Sequence, residues 1–239
     1  MKRTSVIIGI QARSTSERLP GKCYEYIGEK RLLDHVIDAC KNAANNLNRY
    51  SEKSGIFVKF ALLIPFGDKI EQEFQHRCLI IQGPEHDVLT RYVSAAKMLE
   101  ADYICRVTGD CPMIPPFLIG KHITLADINE YDYVSNCDES SRTSLDGIDC
   151  EVMSRKLLDY LDLNATLPQD REHVTTLARR EPPPWAKMGH VCGFFDQSSI
   201  KLSVDTKEDL QRVRNEYNSL SKRLAEAERR YGKSSVHRV

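Results

Sequence analysis

The sequence has no excess of charge of either sign. Lysine and arginine together number 34, aspartate and glutamate also number 34, and the formal net charge is zero. A protein that coats nucleic acid or an anionic membrane needs a positive surface, so this balance argues against both partner classes. Any phosphate group that the protein binds must therefore meet a local group of cations.

Long apolar runs and an export signal are also missing. The short apolar run 6–10 leads directly into Arg13, Glu17 and Arg18, which is not typical of a signal peptide. No apolar stretch approaches the roughly 20 residues that a helix needs to cross a bilayer. We therefore expect a cytoplasmic protein that does not insert into a membrane.

Paired cysteines are absent as well. The eight cysteines are scattered without a CxxC pair, and most of them lie inside apolar runs. This distribution argues against a zinc site and against a disulfide framework. It predicts small buried side chains instead.

Apolar runs rich in branched residues alternate with stretches of helical periodicity. This alternation is typical of a mainly parallel sheet with helices on both faces, so the predicted class is α/β with three layers. The predicted strands are 5–11, 57–64, 79–82, 103–107, 131–135, 147–153, 190–195 and 201–204. The predicted helices are 31–46, 87–100, 116–128 and one that begins near Asp170 and ends before the prolines 182–184.

The last part of the sequence predicts one long charged helix. From Lys207 onward, apolar residues recur at alternating spacings of three and four, namely Leu210, Val213, Tyr217, Leu220, Leu224, Ala227 and Tyr231. This seam of about three heptads is compatible with a helix packed on its own domain and with a homodimer interface. We predict one domain, 1–206, followed by this helix and a frayed tail, 207–239.

The loop after the first predicted strand carries cations among small polar residues. Within the segment 8–22 these are Arg13, Arg18 and Lys22, and Gly21 precedes the last of them. Glycine, serine and threonine let backbone N–H groups turn toward an anion, while arginine and lysine supply charge. Because such loops bind ligands in open α/β sheets, we predict a polyphosphate site, with a solvated basic loop as the alternative. Neither a P-loop nor a dinucleotide-binding glycine motif is present.

Two aspartates follow predicted strands and are candidates for a metal site. Asp110 lies in a Thr-Gly-Asp-Cys-Pro turn after the strand 103–107, and Asp205 follows the short strand 201–204. Mg²⁺ prefers one or two protein carboxylates together with phosphate oxygens and waters. Each aspartate is also an ordinary turn residue, and only the fold decides whether the two meet.

Six segments in order along the chain resemble the motifs of one family: 10–22 (IQARSTSERLPGK), 83–92 (GPEHDVLTRY), 106–112 (RVTGDCP), 146–152 (DGIDCEV), 171–175 (REHVT) and 203–210 (SVDTKEDL). The chain resembles the nucleotidyltransferases of the spore coat polysaccharide protein F type, relatives of the CMP-Kdo and CMP-sialic acid synthetases. The resemblance covers nearly the whole chain. It implies a GT-A-like, Rossmann-related fold and attack of an acceptor on the α-phosphate of CTP, with release of pyrophosphate.

The resemblance also implies roles for individual residues. The triphosphate would be held by Arg13 and Lys22, within the loop that includes Arg18 and Gly21. The Mg²⁺ ion would be held by Asp110 and Asp205. The base and ribose would lie near Gln11, Asp87 and Arg91. The acceptor pocket would be lined by Asp149, Glu151, Arg171, Glu172 and His173.

Two segments depart from the pattern that the family leads us to expect. The first loop usually reads closer to ARMGSTRLPGK, whereas residues 14–17 here lack the glycine and add an acidic residue. The segment 66–69 (FGDK) replaces a more polar one. These departures bear on the conformation of the loop and on the selectivity for the base.

The implied acceptor is a small anion: an acidic sugar, a sugar phosphate or a phosphonate, used for surface polysaccharide or related small-molecule biosynthesis. A phosphate acceptor needs only cations such as Arg171, whereas a hydroxyl acceptor needs a base such as His173 or Asp149. One alternative is a GT-A glycosyltransferase, which usually has a DxD-like metal motif that is missing near Asp110. Another alternative is a non-catalytic nucleotide-binding scaffold.

Overall fold

The computed structural model describes residues 3–138 and 141–231. Its strands are β1 (Thr4–Gln11), β2 (Tyr26–Ile27), β3 (Lys30–Arg31), β4 (Ile56–Pro65), β5 (Leu79–Gly83), β6 (Tyr103–Thr108), β7 (Tyr133–Ser135), β8 (Glu151–Ser154) and β9 (Met188–His190). Its α-helices are α1 (Leu32–Asn48), α2 (Ser51–Ser54), α3 (Ile70–Phe74), α4 (Val88–Met98), α5 (Pro116–Ile128), α6 (Arg155–Asn164), α7 (Pro168–His173), α8 (Thr176–Arg180) and α9 (Lys207–Tyr231).

One mainly parallel sheet forms the centre of the molecule. In the described ranges its strand order is β5-β4-β1-β6-β8-β7-β9, while β2 and β3 form a separate hairpin. Strand β1 lies between β4 and β6 and is parallel to both, so that Val6 pairs with Val58 on one side and with Tyr103 on the other. Only β8 runs antiparallel to its neighbours β6 and β7. The predicted α/β class with a mainly parallel sheet is confirmed.

Helices cover both faces of this sheet. Successive side chains of a strand point to opposite faces, and Ile8 of β1 packs in a cluster with α1 and α5, whereas Ile7 packs in a cluster with α4 and α6. Both isoleucines are fully buried. Each such side chain stabilises the fold by roughly 1.5–3 kcal/mol, and the run of apolar residues in β1 therefore specifies a strand that is buried on both faces.

The structure differs from the predicted elements mainly after residue 128. The chain 147–150 is a loop before β8, and Gly147 has a φ of +105° there. Helix α6 was not predicted; Ser154 caps it by accepting a hydrogen bond from Leu157 N. The helix predicted from Asp170 is divided into α7 and α8 because Val174, with a φ of +65°, interrupts the helical path. The predicted strand 201–204 makes only an isolated bridge between Lys201 and Asp146.

Helix α9 packs on the domain through its first half. Leu210 and Val213 are buried in a cluster with Leu19 and Ile27, while Leu220 and Leu224 remain 44% and 48% exposed. The first part of the heptad seam therefore packs against the domain of the same chain. The homodimer interface and the boundary at residue 206 stay predictions. The predicted frayed tail, from Lys233 onward, and the side chains of Ala227 and Tyr231 lie outside the described residues.

None of the described helices combines the length and the apolarity that a membrane span requires.

Replacing Gly28 by alanine should destabilise the contact between the β2–β3 hairpin and α9. Gly28 has a φ of +61°, and an added Cβ would lie 2.4 Å from Cε1 of Tyr217. Left-handed strain and overpacking together should lower the free energy of unfolding by about 2–4 kcal/mol, measured by urea denaturation. Gly67→Ala is the matched control, because Gly67 has a φ of +69° and its Cβ would meet no described atom within 4 Å. Equal losses in the two variants would contradict the packing argument.

Candidate active site

A polar cavity of about 610 Å³ lies along the carboxyl ends of the parallel strands. Its walls come from the segments that follow β1, β5 and β6, from the start of β8, and from residues of α7, α8 and the turn before α9. Open α/β sheets bind their ligands at this edge because several loops converge there. The sequence segments that carried the family resemblance therefore meet in one place.

The loop after β1 is closed by backbone hydrogen bonds and faces the cavity. Gly21 adopts a φ of +72° and donates from its N–H to Ser14 O at 3.0 Å. Ser14 N donates in turn to the carboxylate of Asp68 at 2.8 Å. The unusual segment 66–69 therefore supplies a support for the loop that lacks the expected glycine. The side chains of Arg13, Arg18 and Lys22 line the cavity.

The structure brings Asp110 and Asp205 together around the ammonium group of Lys22. Lys22 Nζ donates to Asp110 Oδ2 at 3.0 Å, to Asp205 Oδ1 at 3.1 Å and to Val204 O at 2.7 Å. A backbone hydrogen bond from Val204 N to Asp110 O, 2.9 Å long, holds the two segments side by side. The two carboxylates thus converge on the position of one cation.

The charges of this cluster stabilise one another. Burial disfavours the charged form of Asp110, but the Lys22 ammonium and the hydrogen bonds that Asp110 accepts, including one from Thr108, together hold the pKa of Asp110 below its ordinary value. Burial likewise opposes the charge of Lys22, and the two carboxylates raise the pKa of Lys22. Asp205 has two further cationic partners, Arg18 at 3.0 Å and Lys201 at 3.4 Å. Asp110 and Lys22 therefore stabilise each other's charged form.

The chemistry of this cluster fits a hard divalent cation that also binds a substrate phosphate. Among the described residues, no group of three or more His, Cys, Asp or Glu side chains is arranged to hold a metal by protein ligands alone. Two carboxylates beside a phosphate-binding loop are the donor set that Mg²⁺ uses in nucleotide enzymes, where phosphate oxygens and waters complete the shell. Asp110 and Asp205 are the residues that could hold such an ion.

Gln11 and Arg91 lie at the β1–β5 side of the cavity. The Gln11 side-chain oxygen accepts from Arg106 Nε at 3.0 Å and from Tyr92 OH at 3.3 Å. Arg91 is 2% exposed and donates to the carbonyl oxygens of Leu63 and Glu85. Arg91 therefore supports the β5–α4 loop as well as lining the cavity, and a direct contact of either residue with base or ribose stays a prediction.

Asp87 and Arg171 are bound to each other instead of facing the cavity. Asp87 accepts from Thr90 N at the start of α4 and from Arg171 Nε at 2.6 Å. Arg171 also donates to Thr90 Oγ1 and to Asp162. In the described part of the chain, neither residue is among those that line the cavity. They join α4 to α7, and the ligand roles inferred for them from the sequence have no geometric support here.

The β7–β8 side of the cavity contains the other predicted acceptor residues, Asp149, Glu151, Glu172 and His173. Glu151 is 1% exposed, and its carboxylate accepts from Tyr133 OH at 2.5 Å, from Thr175 Oγ1 at 2.7 Å and from the Arg106 guanidinium. These bonds occupy both carboxylate oxygens of Glu151. Glu151 is therefore a structural anchor at the cavity floor, and its contact with an acceptor stays a prediction.

Sequence reasoning missed three arginines of the cavity, Arg106, Arg142 and Arg179. Arg142 is held by Asp149 through two hydrogen bonds, the shorter 2.6 Å long. Arg106 had a usable signal: it interrupts an apolar strand, and a charge inside a strand needs a buried carboxylate partner. No comparable signal distinguished Arg142 or Arg179 from other surface arginines.

Asp149 should make the stability of the protein fall as pH rises from about 4 to 6. Burial raises the pKa of Asp149 to about 6, the charges of Asp146 and Glu151 add to the rise, and Arg142 opposes it. In this window the folded chain retains a proton that the unfolded chain releases, so stability decreases with pH, by about 3 kcal/mol in total. The excess stability of wild type over Asp149→Asn, from urea denaturation, should fall across this window and level off above it. A difference that stays constant or grows would contradict the assignment.

Comparisons with known proteins identify relatives of this chain. The chain is 28% identical over 228 residues to the spore coat polysaccharide biosynthesis protein SpsF of Bacillus subtilis, covering 91% of this chain and 88% of that one. A solved cytidylyltransferase from Leptospira borgpetersenii superposes with a TM-score of 0.78 at 25% identity, covering 94% of this chain and 96% of that chain.

A more distant solved structure shares the fold. CMP:2-keto-3-deoxy-manno-octonic acid synthetase, solved in complex with CTP, superposes with a TM-score of 0.65 at 18% identity, covering 91% of this chain and all of that one. The family model described as cytidylyltransferase matches residues 6–230. That match includes the loop after β1, both converging aspartates and all of the sheet except the first two residues of β1, and the chain therefore belongs to the cytidylyltransferase family.

Proposed function

We propose that this protein is a Mg²⁺-dependent enzyme that transfers CMP from CTP to a small anionic acceptor and releases pyrophosphate. The acceptor classes are an acidic sugar, a sugar phosphate or a phosphonate. The name of the Bacillus subtilis relative supports a place in surface polysaccharide biosynthesis. An enzyme that consumes CTP has its substrate in the cytoplasm, which is the location we propose.

One observation carries this proposal: Asp110 and Asp205 converge on one cation position directly beside the loop after β1. Phosphoryl transfer needs positioning and neutralisation of charge more than it needs a covalent catalyst. A metal site with two carboxylates and a loop with three cations supply both. The charge balance of the chain as a whole is zero, so these cations are a local feature.

Different residues of the site have different roles in the proposed reaction. Arg13, Arg18 and Lys22 bind the β- and γ-phosphates and neutralise the charge that develops on the leaving pyrophosphate. Asp110 and Asp205 would hold a Mg²⁺ ion, which would supply further neutralisation and help to orient the triphosphate. The acceptor oxygen attacks the α-phosphorus in line with the bond to the leaving group, and that bond breaks.

The acceptor decides whether a base is needed. A phosphate or phosphonate oxygen is already charged and attacks without losing a proton. A hydroxyl acceptor must give up a proton, and Asp149 fits that role because its pKa of about 6 lies close to neutral pH. His173 also lines the cavity and is the second candidate base.

Pyrophosphate release tests the proposal directly. The purified chain is incubated with Mg²⁺, each of the four nucleoside triphosphates and a panel of acidic sugars, sugar phosphates and phosphonates. We expect pyrophosphate from CTP with at least one acceptor and none after chelation of the metal. Free nucleoside diphosphate from a nucleotide sugar would favour a glycosyltransferase instead. CTP binding without turnover across the panel would favour a nucleotide-binding scaffold.

A further inference from the structure

We propose that Arg179 binds the anionic group of the acceptor, an inference that rests on the proposed function. Arg179 belongs to α8 and lines the β7–β8 side of the cavity. Its Nη1 makes one long hydrogen bond, 3.4 Å, to Cys137 O. Its Nε is buried and has no hydrogen-bond partner within residues 3–138 and 141–231. A buried donor without a partner is unfavourable, and an oxyanion that satisfied this donor would remove the penalty.

The neighbouring arginines are already engaged. Arg142 gives its donors to Asp149 and to the carbonyl oxygens of Ser144 and Leu145. Arg106 donates to Gln11 and forms an ion pair with Glu151. In the described part of the chain, no carboxylate lies within 4.0 Å of the Arg179 guanidinium in an ion pair. Among the described arginines on the β7–β8 side of the cavity, Arg179 is therefore the one whose N–H groups are available to bind an anion.

Glu151 stabilises the positive charge of Arg179 without accepting hydrogen bonds from it. The oxygens of Glu151 are occupied by Tyr133, Thr175 and Arg106, so the carboxylate attracts Arg179 through space but forms no hydrogen bond with it. Such an arrangement favours the charged guanidinium and leaves its Nε–H group without a partner in the described residues. An oxyanion with two oxygens in one plane is the partner that the guanidinium fork matches.

The strand order separates Arg179 from the loop after β1, where the triphosphate is proposed to bind. Arg179 contacts the segment after β7, and β8 separates β7 from β6, whose following turn carries Asp110. Adjacent strands are about 4.8 Å apart, so the ends of β7 and β6 are roughly 10 Å apart along the sheet edge. This distance fits the far end of a sugar-sized acceptor whose attacking oxygen reaches the α-phosphate. The group at Arg179 is therefore a non-reacting carboxylate, phosphate or phosphonate.

The wild-type protein tests this inference without turnover. The arginine side chains are labelled with ¹⁵N, and NMR follows their Nε–H signals. The protein is first saturated with Mg²⁺ and a CTP analogue that has a methylene bridge between its α- and β-phosphorus atoms. Loss of a signal in Arg179→Lys identifies Arg179. Glycolate, inorganic phosphate and methylphosphonate are then titrated separately, and the anion class that binds best indicates the acceptor class.

We expect at least one of these anions to move the Arg179 signal in a saturable way, with a dissociation constant on the order of 1–50 mM for fragments of this size. Chloride at the same ionic strength should leave that signal in place. An Arg179 signal that no anion moves, or that chloride moves equally, would overturn the inference. This result does not depend on finding an acceptor, so it separates a failure of Arg179 from a failure of the proposed function.

Kinetics with an acceptor from the pyrophosphate screen provide the second measurement. Arg179→Lys retains the charge but loses the fork, and it should raise the KM for that acceptor on the order of 10–100-fold while the KM for CTP stays unchanged. Arg49→Lys is the matched control, because Arg49 is exposed and lies outside the cavity lining. Circular dichroism checks that both variants fold. An unchanged KM for the acceptor in folded Arg179→Lys would overturn the inference.

Discussion

Replacing Asp110 by asparagine should lower the rate of CTP turnover roughly 10³-fold while the fold persists. Asp110 supplies one of the two carboxylates that converge on the cation position, and asparagine has the same shape without the charge. Lys22 retains Asp205 and Val204 O as partners in this variant, so the loop after β1 stays anchored. Pyrophosphate release under saturating CTP and Mg²⁺ is the measurement.

Asp159→Asn is the matched control for this variant. Asp159 forms an ion pair with Arg155 on α6, and it is not one of the cavity-lining residues in the described ranges. Its turnover should equal that of wild type, and thermal unfolding should show that both variants are folded. A folded Asp110→Asn enzyme with activity within tenfold of wild type would exclude Asp110 as a metal ligand.

Replacing Lys22 by glutamine should have two opposite effects. The value of kcat/KM for CTP should fall by about 10²-fold or more, because a charged donor to the triphosphate is lost. The affinity for Mn²⁺ in the absence of nucleotide should rise by roughly tenfold, because the ammonium group that lies between Asp110 and Asp205 is removed. Electron paramagnetic resonance of free Mn²⁺ measures the second effect independently of turnover.

The two effects together distinguish this geometry from a general loss of function. Lys30→Gln is the control, since Lys30 pairs with Asp38 on the surface and should alter neither quantity. A Lys22→Gln protein whose nucleotide-free affinity for Mn²⁺ equals that of wild type would show that the two carboxylates are not the metal site. An unchanged kcat/KM would remove Lys22 from the triphosphate site.

Much of the fold follows from local pattern. The uninterrupted apolar run of β1 predicts a strand buried on both faces, and the structure places it at the centre of a parallel sheet. Helices α1, α4 and α5 were predicted to within a few residues, and in α1 and α4 the apolar residues recur at helical spacing. The region after residue 128 was harder, because β7, β8 and β9 have only three or four residues each and depend on pairing partners distant in sequence.

In the candidate site, too, local sequence pattern predicts some features and only the tertiary structure decides others. Arg171 and Arg179 are both arginines near short helices, and nothing local tells them apart. The fold directs Arg171 to Asp87, where it joins α7 to α4, and directs Arg179 into the cavity. The sequence pattern therefore singled out Arg171 and did not single out Arg179, and an acceptor role of either residue stays a prediction. Packing between helices decides this, and it is not encoded in any single motif.

The sequence by itself determined the chemistry that is available at the carboxyl edge of the sheet. It places cations after the first strand and an aspartate after each of two later segments, because turn residues and strand ends are local properties. Only the tertiary structure decided that Asp110 and Asp205 meet at Lys22. For the two aspartates to meet, β6 must lie beside β1 and the backbone of Val204 must pair with that of Asp110. These contacts join residues that are far apart in the chain, and they form only when the whole core is buried.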